Sequence, residues 1–191
     1  MEKVLAELYL PEGIFKNVLV QKANSDTKKD LKIIYNSWRD MCDSLGNIGA
    51  RKVNIPEGLS EGVYCSVTGA YRTNNLKIKN ANTSFDCYLP TLKLRIQVKA
   101  CSIVPDLTSF GPHSVWDKLI FIDFYVDGNW DGSFKIYDLS FLDIKNLILN
   151  IERNETFLEQ QLQGRRPRLS LYRLIREYRI EPYITGNINN L

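Results

Sequence analysis

The chain is poor in the residues from which metal and disulfide scaffolds are built. Its 191 residues include one histidine, His113, and four cysteines, at positions 42, 65, 87 and 101. No two cysteines form a CxxC pair and a lone histidine cannot complete a Cys/His set, which argues against structural zinc. Cysteines this few and this scattered do not make a disulfide framework. They read as buried free thiols in a reducing compartment, the cytoplasm. Long hydrophobic runs are missing too: nothing approaches the ~18 apolar residues of a membrane span. Met1-Glu2-Lys3 does not open a signal peptide, so no membrane partner is expected. A large excess of either charge is also absent, with 25 basic against 22 acidic residues and a net charge of +3. What is present is a 44% hydrophobic fraction with 11% aromatics, which supports a core and excludes disorder. The length suits one compact domain, with or without a small annex.

The balanced total hides segregation. Between Glu61 and Asp106 one acid, Asp86, stands among Arg72, Lys77, Lys79, Lys93, Arg95 and Lys99. From Asp106 to Asp143 the sign reverses, with seven aspartates. Seven of the eleven arginines then fall within residues 151–180, a stretch without lysine. Arg165, Arg166, Arg168, Arg173 and Arg176 have no acid between them. Arginine without lysine favours bidentate recognition of phosphate or guanine. The plainer alternative is a helix face whose arginines pair with Glu152, Glu155, Glu159 and Glu177.

Residues 1–50 read mainly as helix, on the recurrence of Leu31, Ile34, Tyr35, Trp38, Met41, Cys42 and Leu45 up to Gly46. Pro56 opens a second helix that ends near Asn74-Asn75. Strand signals follow over Thr83–Leu89, with a turn at Pro90-Thr91. Leu92 to Ala100 alternates, setting Lys93, Arg95, Gln97 and Lys99 on one face. Leu119–Val126 is almost wholly apolar, as in a strand buried on both faces. Ser133–Tyr137 is a further strand. Ser140 with Asp143 resembles a capping box, and 142–162 has helical periodicity. The outline is a mixed α/β (α+β) domain: a helical annex over 1–50 and a core over 51–191.

Asp86 and Gln97 lie eleven positions apart across a tight turn, so their side chains can converge on one side of a hairpin. A carboxylate, a second oxygen and Lys99 in a basic groove suit magnesium-assisted phosphodiester hydrolysis. An ordinary half-buried hairpin with a solvated polar face is the better explanation of the alternation taken alone, since most strands have such a face.

Ser84-Phe85-Asp86 followed by Gln97-Val98-Lys99 resembles the motif of the PD-(D/E)xK nucleases in a variant form. Pro56-Glu57-Gly58-Leu59-Ser60-Glu61 is similar to the glutamate-bearing helix that type II restriction endonucleases set beside their metal site. The run Pro105–Pro112, then Trp116-Asp117-Lys118-Leu119, resembles a small family of these enzymes that cuts double-stranded DNA at GCNGC. Gln163-Gly164-Arg165-Arg166-Pro167-Arg168 resembles a basic DNA-contacting segment. The resemblance spans roughly residues 50 to 175. It implies a mixed central sheet flanked by helices and a Mg2+ cofactor. It also implies metal-binding Asp86 and Glu61, Gln97 as a weaker oxygen ligand, and Lys99 to position or activate water. Base reading falls to Arg165, Arg166 and Arg168, helped by Ser109 and the loop to His113. A palindromic target implies a homodimer, whose interface apolar positions of the annex could build. The superfamily usually has an acid where Gln97 stands, so a silent DNA-binding protein and a repair nuclease of the same fold remain alternatives.

Two other motifs compete. Pro105-Asp106 with Asp143-Ile144-Lys145 is a literal PD…DxK match, but its second half sits where a helix start is expected rather than a strand. Asp127 to Asp138 imitates a calcium-binding loop, yet strands flank it, and turn geometry explains its Asp-Gly and Asn residues better.

Overall fold

The computed structural model describes residues 1–74, 76–103 and 106–191. It opens on strands rather than a helix: β1 (Glu2–Leu10) and β2 (Gly13–Lys22) pair antiparallel around Pro11-Glu12. The helical reading of residues 2–22 is therefore corrected. Leu8, Leu10, Val18 and Val20 are buried at every second position, the period of a strand. Helix α1 (Ser25–Asn47) follows, with a reciprocal cap in which Thr27 N donates to Asn24 Oδ1 at 2.9 Å and Asn24 N to Thr27 Oγ1 at 3.1 Å. Its buried stripe, Thr27, Leu31, Tyr35, Trp38 and Cys42, recurs every three or four residues.

Helix α2 (Glu57–Thr68) begins after Pro56 and stops at Gly69, whose φ of 74° is the left-handed cap. It ends earlier than the sequence suggested, since Tyr71–Arg72 is already strand β3. Asn75 lies outside the described residues. The elements then run β4 (Cys87–Leu89), β5 (Leu94–Cys101), β6 (Thr108–Ser109), β7 (Lys118–Asp123), β8 (Ser133–Asp138), β9 (Ile148–Asn150), β10 (Glu155–Thr156), α3 (Phe157–Leu162), β11 (Arg168–Leu169), α4 (Leu171–Glu177) and β12 (Ile184–Asn187).

The continuous helix expected over 142–162 does not form. A short 3-10 turn and the β9–β10 hairpin occupy its first half. Asparagine side chains here compete with the helical backbone: Asn150 Oδ1 accepts from Arg153 N at 3.2 Å, and Asn154 takes a φ of 49°. Helix begins only at Phe157, where Thr156 and Glu159 form the capping box that Ser140 and Asp143 do not. Ser140 instead bonds Asp138 and accepts from Leu119 N.

Among the described residues eight strands form one mixed sheet in the order β1-β2-β3-β4-β5-β7-β8-β12, in which β5 and β7 are the one parallel pair. This is the α/β class expected. Strand β7 explains the apolar run: Ile120 and Ile122 pack under α1 and α2, while Leu119 and Phe121 face Leu171, Tyr172 and Leu174 on the opposite side. Each such buried side chain contributes about 1.5–3 kcal/mol. The β5–β7 junction is clamped at its end, where Asp117 accepts from Arg95 Nη2 at 2.7 Å, Nε at 3.0 Å and backbone N at 2.8 Å. Helix α1 seats closely on α2, because a Cβ at Gly62 would lie 2.6 Å from Leu31 Cδ2. Among the described residues no helix is long and apolar enough to cross a membrane.

Candidate active site

Asp86 sits just ahead of β4 and is held there by both backbone and side chain. Its N–H donates to Ile96 O at 3.0 Å, which extends the β4–β5 ladder by one step. Its Oδ2 accepts from Val98 N at 2.8 Å and from the Gln97 amide. Burial pushes the Asp86 carboxyl above its usual range, and the nearby Lys99 charge is the largest opposing influence. Gln97 is not on a solvated face: it is 2% exposed, and its Oε1 has no hydrogen-bond partner. An acceptor left unpaired in the interior costs about 1–3 kcal/mol, so it is a position that favours a donor or a cation. Lys99 lies over the Phe110 ring, with Nζ 5.3 Å from its centroid.

Glu61 reaches the same place from α2. It is buried, and its Oε2 accepts from Arg72 Nε. Burial lifts its carboxyl to about 7; Arg72 partly opposes this, and the Asp86 charge reinforces it. The two carboxylates border two openings. One cavity, of about 450 Å³, is lined by Glu57, Glu61, Asp86, Lys99 and Ser109, with Arg51 at its edge. The other, of about 490 Å³, brings in Gln97 and Arg72. The structure thus gathers Asp86, Gln97, Lys99 and Glu61. Arg72, Glu57 and Arg51 join them unforeseen. Nothing local in the sequence links Arg72 to Glu61, because their meeting depends on β3 docking beside α2.

Among the described residues no three His, Cys, Asp or Glu side chains form a ready metal cage. The donor set here is two carboxylates and a neutral amide oxygen. It fits a hard cation that is held by one or two carboxylates and keeps several waters.

The arginine segment divides. Arg165 is ion-paired with Glu155, as the plainer alternative proposed. Arg166 and Arg168 are exposed and have no ion pair among the described residues. Both meet Ser109: Arg166 Nε donates weakly to its Oγ at 3.4 Å, and Arg168 lies opposite it in the β11–β6 ribbon. That ribbon carries Ser109 to the wall of the cavity containing Asp86 and Lys99. His113 is exposed, and its carbonyl accepts from Asn82 Nδ2 at 3.3 Å. Asp106 is a helix cap, accepting from Ser170 Oγ, Leu171 N and Tyr172 N at the start of α4. It therefore does not serve the literal PD…DxK reading; Val104 and Pro105 lie outside the described residues. Asp127 and Gly128 form a 3-10 turn between β7 and β8, as turn geometry suggested.

The model of the Bsp6I restriction endonuclease family matches residues 23–178. The type II restriction enzyme Bsp6I of Bacillus sp. (strain RFL6) is 30% identical over 165 residues, which cover 84% of this chain and 88% of that enzyme. No solved structure matches. A mixed sheet bearing an acid, an amide and a lysine on neighbouring strands, read with these similarities, makes the protein a type II restriction endonuclease. It is a site-specific deoxyribonuclease of double-stranded DNA, in a class that works with a divalent metal ion. More narrowly, the chain belongs to the Bsp6I restriction endonuclease family.

Proposed function

We propose that the enzyme uses Mg2+ to hydrolyse both strands of duplex DNA within GCNGC, acting as a homodimer in the cytoplasm, where its free cysteines stay reduced. The observation that carries this reading is the unpartnered Oε1 of Gln97 beside Asp86, with Lys99 two residues along the same strand. Asp86, Glu61 and Gln97 Oε1 would hold the ion, which when bound offsets the negative charge of the phosphodiester. Val98 N and the Gln97 amide fix the orientation of the Asp86 carboxylate. Lys99 places a positive charge at the cavity, where it orients the attacking water and stabilises charge developing on phosphorus-bound oxygen. Arg72 keeps Glu61 aligned and partly offsets the effect of its burial.

Base reading is assigned to Arg166 and Arg168, each able to make a bidentate contact to guanine, with Ser109 behind them. Arg165 supports the segment through Glu155 and turns to DNA by exchanging that partner; His113 contributes at the rim. Each subunit cuts one strand of the palindrome. The outer face of α1, where Ile33, Ile34 and Met41 are exposed, supports a subunit interface within the amino-terminal part.

The test is incubation of purified protein with several plasmids and Mg2+. Wild type is expected to give discrete fragments ending at GCNGC, and Lys99→Ala to lose them by at least 100-fold while still retarding DNA. Retarded but uncut plasmid with wild type would leave only a DNA-binding protein, and random nicking or RNA cleavage would sink the restriction reading.

A further inference from the structure

A third cavity is lined by none of the residues assigned so far. About 800 Å³ in volume, it runs along β2 against the segment that follows β3. Lys3, Lys16, Lys77 and Lys79 line it, all four exposed, and no aspartate or glutamate is among its described lining residues. One weak ion pair touches this set: Lys16 Nζ lies 3.9 Å from Glu7 Oε2, with both side chains in solvent. Such a pair contributes little and exchanges readily for another anion. The groove also adjoins the candidate active site. Asn74, Leu76 and Lys77 line both it and the cavity containing Asp86, Glu61 and Gln97.

We infer that this groove holds the phosphate backbone of duplex DNA flanking the recognition site. The inference rests on the endonuclease reading and extends it to a second contact region. Three considerations carry it. The first is charge: four lysines with no acid among the described lining residues attract a polyanion, and continuity with the cleft makes that polyanion the same duplex. The second is residue type. Lysine is a compact point charge suited to phosphate, whereas the lysine-free segment around Arg166 and Arg168 suits base edges, so the two regions divide holding from reading. The third is distance. Strand β2 lies three strands from β5 in the sheet, about 14 Å at the usual strand spacing. That is the length of about four base pairs of B-DNA, just outside a five-base-pair site. The hairpin supplying Lys3 and Lys16 precedes the residues matched by the family model, whereas Lys77 and Lys79 lie within them, so the groove joins the matched core to the strands ahead of it.

The test is the triple variant Lys3→Ala, Lys16→Ala, Lys79→Ala, with Lys77 left intact because it borders both cavities. Binding is measured by fluorescence anisotropy to GCNGC duplexes of about 11 and about 31 base pairs, over a range of salt, and cleavage is measured with Mg2+. Wild type is expected to bind the longer duplex at least 10-fold more tightly than the shorter. The variant loses most of that preference, and its slope of log affinity against log salt on the longer duplex flattens by about two to three. Its cleavage rate on the shorter duplex stays within twofold of wild type, and the matching Lys→Arg triple restores tight binding. If the Ala triple keeps the wild-type length preference and salt slope, the groove is not a DNA site, although the enzyme reading stands. If wild type cuts neither duplex, the enzyme reading fails, and the salt slope still decides the groove.

Discussion

Beside two buried carboxylates, the neutral side chain of Gln97 leaves the site with a charge that Arg72 and Lys99 can balance. A third carboxylate there would crowd like charges in a low-dielectric interior unless a cation were present. Gln97→Glu is therefore expected to destabilise the metal-free enzyme by about 2 kcal/mol, a fall in Tm of roughly 4–8 °C. Saturating Mg2+ should then raise the variant's Tm by more than it raises that of wild type, because an added carboxylate tightens binding to the folded state alone. Differential scanning calorimetry with and without the ion checks both. An unchanged metal-free Tm together with no extra gain from Mg2+ would remove Gln97 from the metal site. Asp86 and Lys99 were legible as residues because alternation along one strand and a tight turn place them together. The burial of Gln97 was not, since a polar residue on an alternating strand gives no sign that other elements cover its face.

At the scale of elements, helices with a clean apolar stripe were readable, and segments rich in asparagine or short alternations were not. Leu31 to Cys42 announced α1, whereas the β1–β2 hairpin was hidden by leucines that satisfy either period. The parallel β5–β7 pair needs a crossover, and the Arg95–Asp117 clamp closes it. Burial alone would raise the Asp117 carboxyl, but hydrogen bonds from Arg95 outweigh it and hold the value below the usual range. A carboxyl lowered in the folded state stabilises above its unfolded value, near 3.9, and this contribution is lost as pH falls through the folded value. Asp117→Asn is expected to cost about 1 kcal/mol at neutral pH, discounted for partial exposure, or roughly 2–4 °C in Tm. In acid below the folded value, wild type and variant should melt together. Thermal melts across that range decide it, since an equal deficit at every pH would assign the effect to packing rather than charge.

For the whole molecule, one continuous sheet sets the candidate catalytic strands between two basic regions, the arginine ribbon at Ser109 and the lysine groove along β2. A palindrome read by such a body requires a second copy related by a two-fold axis. Light scattering is expected to show twice the 22.1 kDa chain mass at micromolar concentration. Ile34→Glu with Met41→Glu should halve it, because each buries a charge in the proposed α1 interface. A monomeric wild type that remains monomeric on GCNGC duplex would refute the dimer.

What the sequence determined by itself was chemical type and order. The isolated Asp86, the Gln97-Val98-Lys99 strand, the glutamate after Pro56 and the lysine-free arginine run are properties of linear spacing and charge. Mixed α/β class followed from periodicities that survive in β5, β7, β8, α1 and α2. Only the tertiary structure decided that residues 2–22 join the sheet, that Arg72 reaches Glu61, that Arg165 is held by Glu155, and that lysines 3, 16, 77 and 79 share one groove. The reason is the same in each case: these relations join segments far apart in the chain, and their geometry exists only after strands pair and helices dock.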